Sequence, residues 1–243
     1  MSFHWTNNSI RWYAQAAEAC SFHQEIAKRL TTHLTKEDIV CDLGCGLGYL
    51  DFSIAPYVKT IKAIDTDPLA FSFLTNRLIN SPTNIVPIFS DYKDYLSTSP
   101  VDIVLMSFFG NIRDIKHFYE FYNFCKKKFI YIVNGEKASQ LSPTNTNPLR
   151  EKVYAKEFAH FLEEHSIPYH FESVTSEFGQ PFSSYEDAID FLTHYYPHCT
   201  RKEQEKFLNI TLQQTAHGFY LPNQKEIGIF IIEKEKHTYE NIS

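Results

Sequence analysis

The run Ile39-Val40-Cys41-Asp42-Leu43-Gly44-Cys45-Gly46-Leu47-Gly48 divides into three parts. Apolar residues lead to an acid, glycines then occupy every second position, and an apolar segment with helical spacing follows from Leu50. The pattern predicts a strand, a tight turn and the start of a helix. Glycines at this spacing allow positive φ and bring a ligand close to bare N–H groups at a helix start. Asp42 at the strand end selects the charge of that ligand. It repels a pyrophosphate and favours a cationic amino or sulfonium group.

Working outward, a second strand over 60–64 ends in Asp65-Thr66-Asp67-Pro68, where Asp67 suits a helix N-cap and Pro68 its first turn. Asp65 closes the strand beside the one that carries Asp42, so its carboxylate can accept two hydrogen bonds from a ribose diol. Further strands are expected at 85–89, followed by Asp91 and Tyr92, at 101–106, followed by Ser107-Phe108-Phe109-Gly110-Asn111, and at 129–133. Strands alternating with helices require right-handed crossovers and a parallel sheet. Two late strands, 169–178 and 227–232, extend it. Helical spacing over 10–34 predicts a leader of one or two helices, and Lys126-Lys127-Lys128 is expected to cap a helix C-terminus. Ser183-x-x-Glu186 has the form of a capping box.

The pattern Asp42-x-Gly44-x-Gly46-x-Gly48 resembles the S-adenosylmethionine (SAM) motif of class I (Rossmann-like) methyltransferases. It is not the dinucleotide fingerprint, whose third glycine falls three residues after the second, and no Gly-Lys-Ser/Thr closes it as a P-loop. The resemblance implies an α/β fold with a doubly wound, seven-stranded, mostly parallel sheet, an antiparallel last strand and helical lid elements. Residues 1–37 would form a helical leader or lid and 38–243 the SAM-binding domain, with 179–225 a helical insertion before the last strand. SAM would be the cofactor and S-adenosylhomocysteine the product. The implied cofactor contacts are Asp42, Gly44, Cys45, Gly46, Asp65, Thr66, Asp91, Tyr92 and Ser107. Trp12, Tyr13, Phe22, Phe108 and Glu136 are the candidates for a substrate pocket. The Asn/Asp-Pro-Pro-Tyr/Phe motif of adenine methylation is missing after the fourth strand, and no acid follows until Asp114, so no metal is expected. Should the acceptor have to lose a proton, His23 is the expected base, because an unperturbed imidazole titrates near 6.5.

A chain of 243 residues, 43% hydrophobic and 16% aromatic, can bury one large core with a lid. A net charge of -6 with one short lysine run argues against a nucleic-acid partner, which would call for a basic stripe. Five cysteines without a Cys-x-x-Cys pair argue against a disulfide framework and a structural zinc. With no run near the ~20 apolar residues of a membrane span, a soluble cytoplasmic protein is expected. The functional expectation is a SAM-dependent methyltransferase acting on a small apolar or aromatic molecule. An RNA or protein methyltransferase and a non-catalytic SAM-binding protein are the alternatives, and the oligomeric state is left open.

Overall fold

The computed structural model describes residues 4–81, 83–144 and 152–234. Ten strands are present among them: β1 (Ile39–Leu43), β2 (Thr60–Asp65), β3 (Ile85–Phe89), β4 (Val101–Ser107), β5 (Cys125–Asn134), β6 (His170–Glu177), β7 (Gln180–Phe182), β8 (Gln213–Thr215), β9 (Gly218–Leu221) and β10 (Gln224–Glu233). The helices are α1 (Asn7–Glu18), α2 (Phe22–Leu30), α3 (Tyr49–Ile54), α4 (Pro68–Asn80), α5 (Tyr92–Tyr95), α6 (Ile115–Tyr122), α7 (Ala155–Glu164), α8 (Tyr185–Tyr195) and α9 (Arg201–Thr211).

Seven strands form one sheet in the order β3-β2-β1-β4-β5-β10-β6. β10 runs antiparallel to both neighbours, with Ile229 opposite Ile132 on one side and Glu172 on the other. The other pairings are parallel. Such strands are covered on both faces, which is why β4 and the end of β5 read as unbroken apolar runs. One face packs Phe22, Ile26 and Leu30 of α2 with Leu50 and Ile54 of α3, and the other packs Phe118, Phe121, Phe158 and Phe161 of α6 and α7. Strand order reverses between β1 and β4, so the ligand crevice is expected at the carboxyl ends of those two strands.

The leader divides between two bodies. Phe22, Ile26 and Leu30 are 0% exposed on the main sheet, so α2 belongs to the core; truncating any of them would cost about 2–5 kcal/mol. α1 turns its Trp12 into a third cluster with Phe182, Phe191 and Leu192. Residues 179–225 hold more than helices. β7, β9 and β8 make a separate antiparallel sheet beneath α8 and α9, which corrects the expectation of a purely helical insertion. Strands of three or four residues are too short for a period of two to register in a sequence.

Two local readings are also corrected. The cap of α8 is Ser184, whose Oγ accepts from Asp187 N, one residue later than the expected box. Lys126, Lys127 and Lys128 lie in β5 and follow no helix directly: Lys127 Nζ reaches Asp38 (2.6 Å) and Asp102 (3.3 Å), while Lys128 Nζ donates to the carbonyl of His33, the last residue of the 3-10 turn Thr31–His33 after α2, so one lysine of the run does meet a helical C-terminus. The expected loop 134–148 is described only as far as residue 144. No helix among the described residues is long and apolar enough to cross a membrane.

Candidate cofactor and acceptor site

The glycine turn takes the backbone its sequence requires, with φ of 73°, 55° and 73° at Gly44, Gly46 and Gly48. A Cβ at position 44 would run into the ring of Phe109, and one at 46 would stand 3.4 Å from Cζ2 of Trp5. A ligand reaching these amides therefore meets Phe109 and Trp5 first. The amides of Gly44 and Cys45 donate to the Ile64 carbonyl, and that of Gly46 donates to Asp65 Oδ2 at 2.8 Å. Asp65 Oδ1 accepts from Asp67 N at 2.8 Å. The end of β2 thus holds the turn, with one carboxylate engaging both segments. Each Asp65 oxygen keeps a lone pair for a further donor. Asp67 Oδ1 caps α4 through the amides of Leu69 and Ala70, while Oδ2 takes the amide of Trp5.

Beneath the turn lie two acids that the fold leaves unsatisfied. Asp42 and Asp51 are 2% and 0% exposed, and no donor reaches Oδ1 of Asp42 or either oxygen of Asp51. Burial, and for Asp42 the adjacent Asp51 charge as well, raises both carboxyls above the usual range. The same acids, with Asp65, combine with burial to push the Cys45 thiol well up, so all three surround the turn. A cationic group with N–H donors would satisfy them, which is the requirement that the amino-acid end of SAM meets. The sequence reading missed Asp51, because an acid in the first turn of a helix also fits an ordinary interaction with the helix dipole.

Of the expected cofactor residues, Asp42, Gly44, Cys45, Gly46, Asp65 and Thr66 come together at this turn. Thr66 is exposed, between Asp65 and the capping Asp67. Asp91 is exposed and caps α5 through Lys93 N at 2.8 Å. Tyr92 stands edge-on to Phe109 with ring centroids 5.6 Å apart. Ser107 ends β4, half-buried.

Further along the same rim, where β5 and β10 meet the lid, lies a cavity of about 500 Å³. Tyr13, Tyr154, Phe178, Phe191, Tyr195 and Tyr196 supply its rings, and Glu136, Lys137, Lys152, Lys225 and Glu226 its charged groups. Tyr13 and Glu136 therefore sit where a substrate pocket was expected. Trp12 does not: it is 1% exposed in the lid core, and its indole N–H donates to Asp187 Oδ1 at 2.9 Å. Phe22 is likewise core, its ring 4.6 Å from that of Phe178. Phe108 has φ of 54° and lies under the amine of Lys225, 3.8 Å from its ring centroid.

His23 is corrected as well. It is 5% exposed, its Nε2 lies 2.9 Å from the Tyr13 hydroxyl, and its Nδ1 has no partner. Burial, aided by Lys225 and Arg77, lowers its pKa to about 3, so the ring is neutral at physiological pH and too weak a base for the expected role. Burial raises the Tyr13 phenol, which remains protonated and can donate to Nε2. The pair is a positioning contact between α1 and α2. Among the described residues, the one group with metal-ligand spacing is His33, His170 and Glu172, at the opposite end of the sheet; there Glu172 already meets His170 at 3.3 Å and Arg29 at 3.7 Å.

The profile of the TRM5/TYW2 methyltransferase domain matches residues 17–128. A search of the curated proteins returned no match. Among solved structures, the YcgJ protein of Bacillus subtilis aligns over 88% of this chain and 99% of its own, with 13% identity and a TM-score of 0.54. A putative methyltransferase of Bacillus halodurans C-125 aligns over 87% and 98%, with 15% identity and a TM-score of 0.54. These likenesses are of fold. The chain thus has the fold of class I methyltransferases and, over residues 17–128, matches a methyltransferase domain. The matched stretch, under half of the chain, carries the glycine turn, Asp65, Asp91 and Ser107 but no residue that lines the acceptor cavity.

Proposed function

We propose that the enzyme methylates a small molecule of apolar or aromatic character. The observation that carries this reading is the cavity of about 500 Å³ beside the carboxyl end of β5 and the start of β10, lined by rings from α1, α8 and the end of β6. A pocket of that size suits a compact ligand, whereas an RNA chain needs an open, basic track. The two buried acids would receive the ammonium of the cofactor, and Asp65 its ribose diol. SAM, when bound, supplies a methyl group already activated by the sulfonium charge. The protein's own part is then to align the acceptor behind that methyl and exclude water, and the lid does both.

An RNA acceptor is the second reading, and the TRM5/TYW2 match favours it. That match covers the cofactor half alone, and the net charge of -6 opposes a polyanion. Incubation with methyl-labelled SAM and separated metabolite, RNA and protein pools distinguishes the readings. Label in the metabolite pool is the expected result. Label in RNA would replace this reading by the second, and label in none, with SAM still bound, would leave a SAM-binding protein.

A further inference from the structure

Lys225 stands at the entry of β10, on the rim between the glycine turn and the lid, and its side chain opens onto the acceptor cavity. Its Nζ lies 3.8 Å from the ring centroid of Phe108, 5.1 Å from Phe22 and 5.4 Å from Phe178. Among the described residues no carboxylate pairs with this amine, and its contacts are to the three rings. The nearby acids are engaged elsewhere: Glu226 Oε2 accepts Lys137 N at 2.8 Å and Glu136 Oε1 accepts Lys156 N at 3.0 Å. The other charged or titratable groups of the cavity are Lys152, which repels the amine, Lys137, and the phenols of Tyr13, Tyr154, Tyr195 and Tyr196, with the neutral His23 beside them.

We propose that Lys225 is the general base of the transfer and that the acceptor is an aromatic hydroxyl compound. The inference rests on the small-molecule reading above. A partly desolvated ammonium lacking a counter-ion is disfavoured, and desolvation together with Lys152 brings the Lys225 pKa down to about 7. The amine is thus available as a base near neutral pH, where exposed lysines are not. The rings that line the cavity, Tyr13, Phe178, Phe191, Tyr195 and Tyr196 among them, provide an apolar seat for an arene, and the amine meets the hydroxyl at the seat's edge. In the step, the phenolic O–H bond breaks and its proton forms an N–H bond on Nζ. The electron pair left on oxygen forms the new O–CH₃ bond while the C–S bond of the methylsulfonium breaks and its pair stays on sulfur. The ammonium afterwards returns its proton to water through the cavity.

The test uses para-nitrophenol as the probe, because its phenol and phenolate absorb differently. At a pH about one unit above the probe's own pKa, where the free probe is phenolate and Nζ is largely neutral, the wild-type protein should bind phenolate and take up about one proton from the buffer, held on Nζ. Lys225→Arg should also bind phenolate but take up none, because a guanidinium is already charged. Lys225→Met should bind the neutral phenol or none. In methyl transfer to the probe, Lys225→Arg should lose about 10²–10⁴-fold in kcat with little change in KM. Competitive acetylation with acetic anhydride, read by mass spectrometry across pH, should show Lys225 titrating far below the exposed lysines, and circular dichroism checks that the variants fold.

Phenolate binding by Lys225→Met, full transfer by Lys225→Arg, failure of the wild type to bind the probe, or an ordinary lysine titration would each overturn the base. Label entering RNA in the pool experiment would instead overturn the small-molecule reading, a result independent of how Lys225 titrates.

Discussion

Asp51 and Asp187 occupy the same position in two helices, the third residue of α3 and of α8, each of which starts on a tyrosine. Both are buried, at 0% and 8% exposure. Their surroundings are opposite. Asp187 receives Arg11 at 2.7 and 3.1 Å, the Trp12 indole at 2.9 Å and the Ser183 amide at 3.3 Å, and these donors outweigh its burial and hold its pKa below the usual range. Asp51 has only Asp42 beside it, with which it can share a proton, and is pushed up by burial. A carboxylate that fastens one element to another is given donors by the fold. One buried beside a second acid without a cation is what the proposed ammonium of the cofactor would neutralise.

The sharpest way to break this contrast is Asp187→Ala. It leaves the guanidinium and indole without their acceptor, and urea unfolding should show a loss of about 3–5 kcal/mol or early detachment of the lid. A loss under about 1 kcal/mol would show that the clamp is ornamental. Next is Asp65→Ala, which removes the anchor of Gly46 N–H and the expected diol acceptor. SAM affinity by calorimetry should fall by about 3 kcal/mol, and affinity within a factor of two of wild type would end that role for Asp65.

His23 gives a smaller, pH-dependent effect. Its folded pKa of about 3 lies below the unfolded 6.5, so its contribution is whole above 6.5 and is lost as pH falls from 6.5 toward 3. At about pH 5 the wild type should be roughly 2 kcal/mol less stable than at pH 7 on this account, and His23→Gln should lack that slope. For Asp51 the sign is reversed. A carboxyl raised above its unfolded value contributes stability at low pH that is lost as pH rises through 3.8 toward the folded value. Asp51→Asn should therefore stabilise the protein at neutral pH by about 1 kcal/mol while weakening SAM binding, in contrast to Asp187→Ala. The least perturbing measurement is fluorescence in a Trp12→Phe background, where Trp5 is the remaining indole. SAM binding should change its emission, since its ring lies against Gly46. An unchanged spectrum under saturating SAM would place the ligand elsewhere.

The cofactor half was legible because its signals are local. Asp42, the three glycines, Asp65 and the Asp67 cap lie at strand ends and turns, where backbone geometry restricts residue choice. The acceptor half was not legible in the same way. Trp12 and Phe22 look like pocket aromatics in a sequence, yet hydrophobic burial drew both into cores. The unperturbed pKa that recommended His23 was removed by desolvation. Lys225 carried no signal at all, because a lysine opening a strand is ordinary until three distant rings surround it.

From the order of its residues alone, the chain dictates the alternation of strand and helix and a glycine turn beside an acid, consequences of periodicity and of glycine's freedom at positive φ, whereas the antiparallel last strand was implied only by the resemblance to methyltransferases. Tertiary structure alone decided which acids were left without donors, which aromatics enclose a cavity, and which amine faces it. Those properties depend on burial and on neighbours remote in sequence, and desolvation by such neighbours is what changes an ordinary side chain's charge and reactivity.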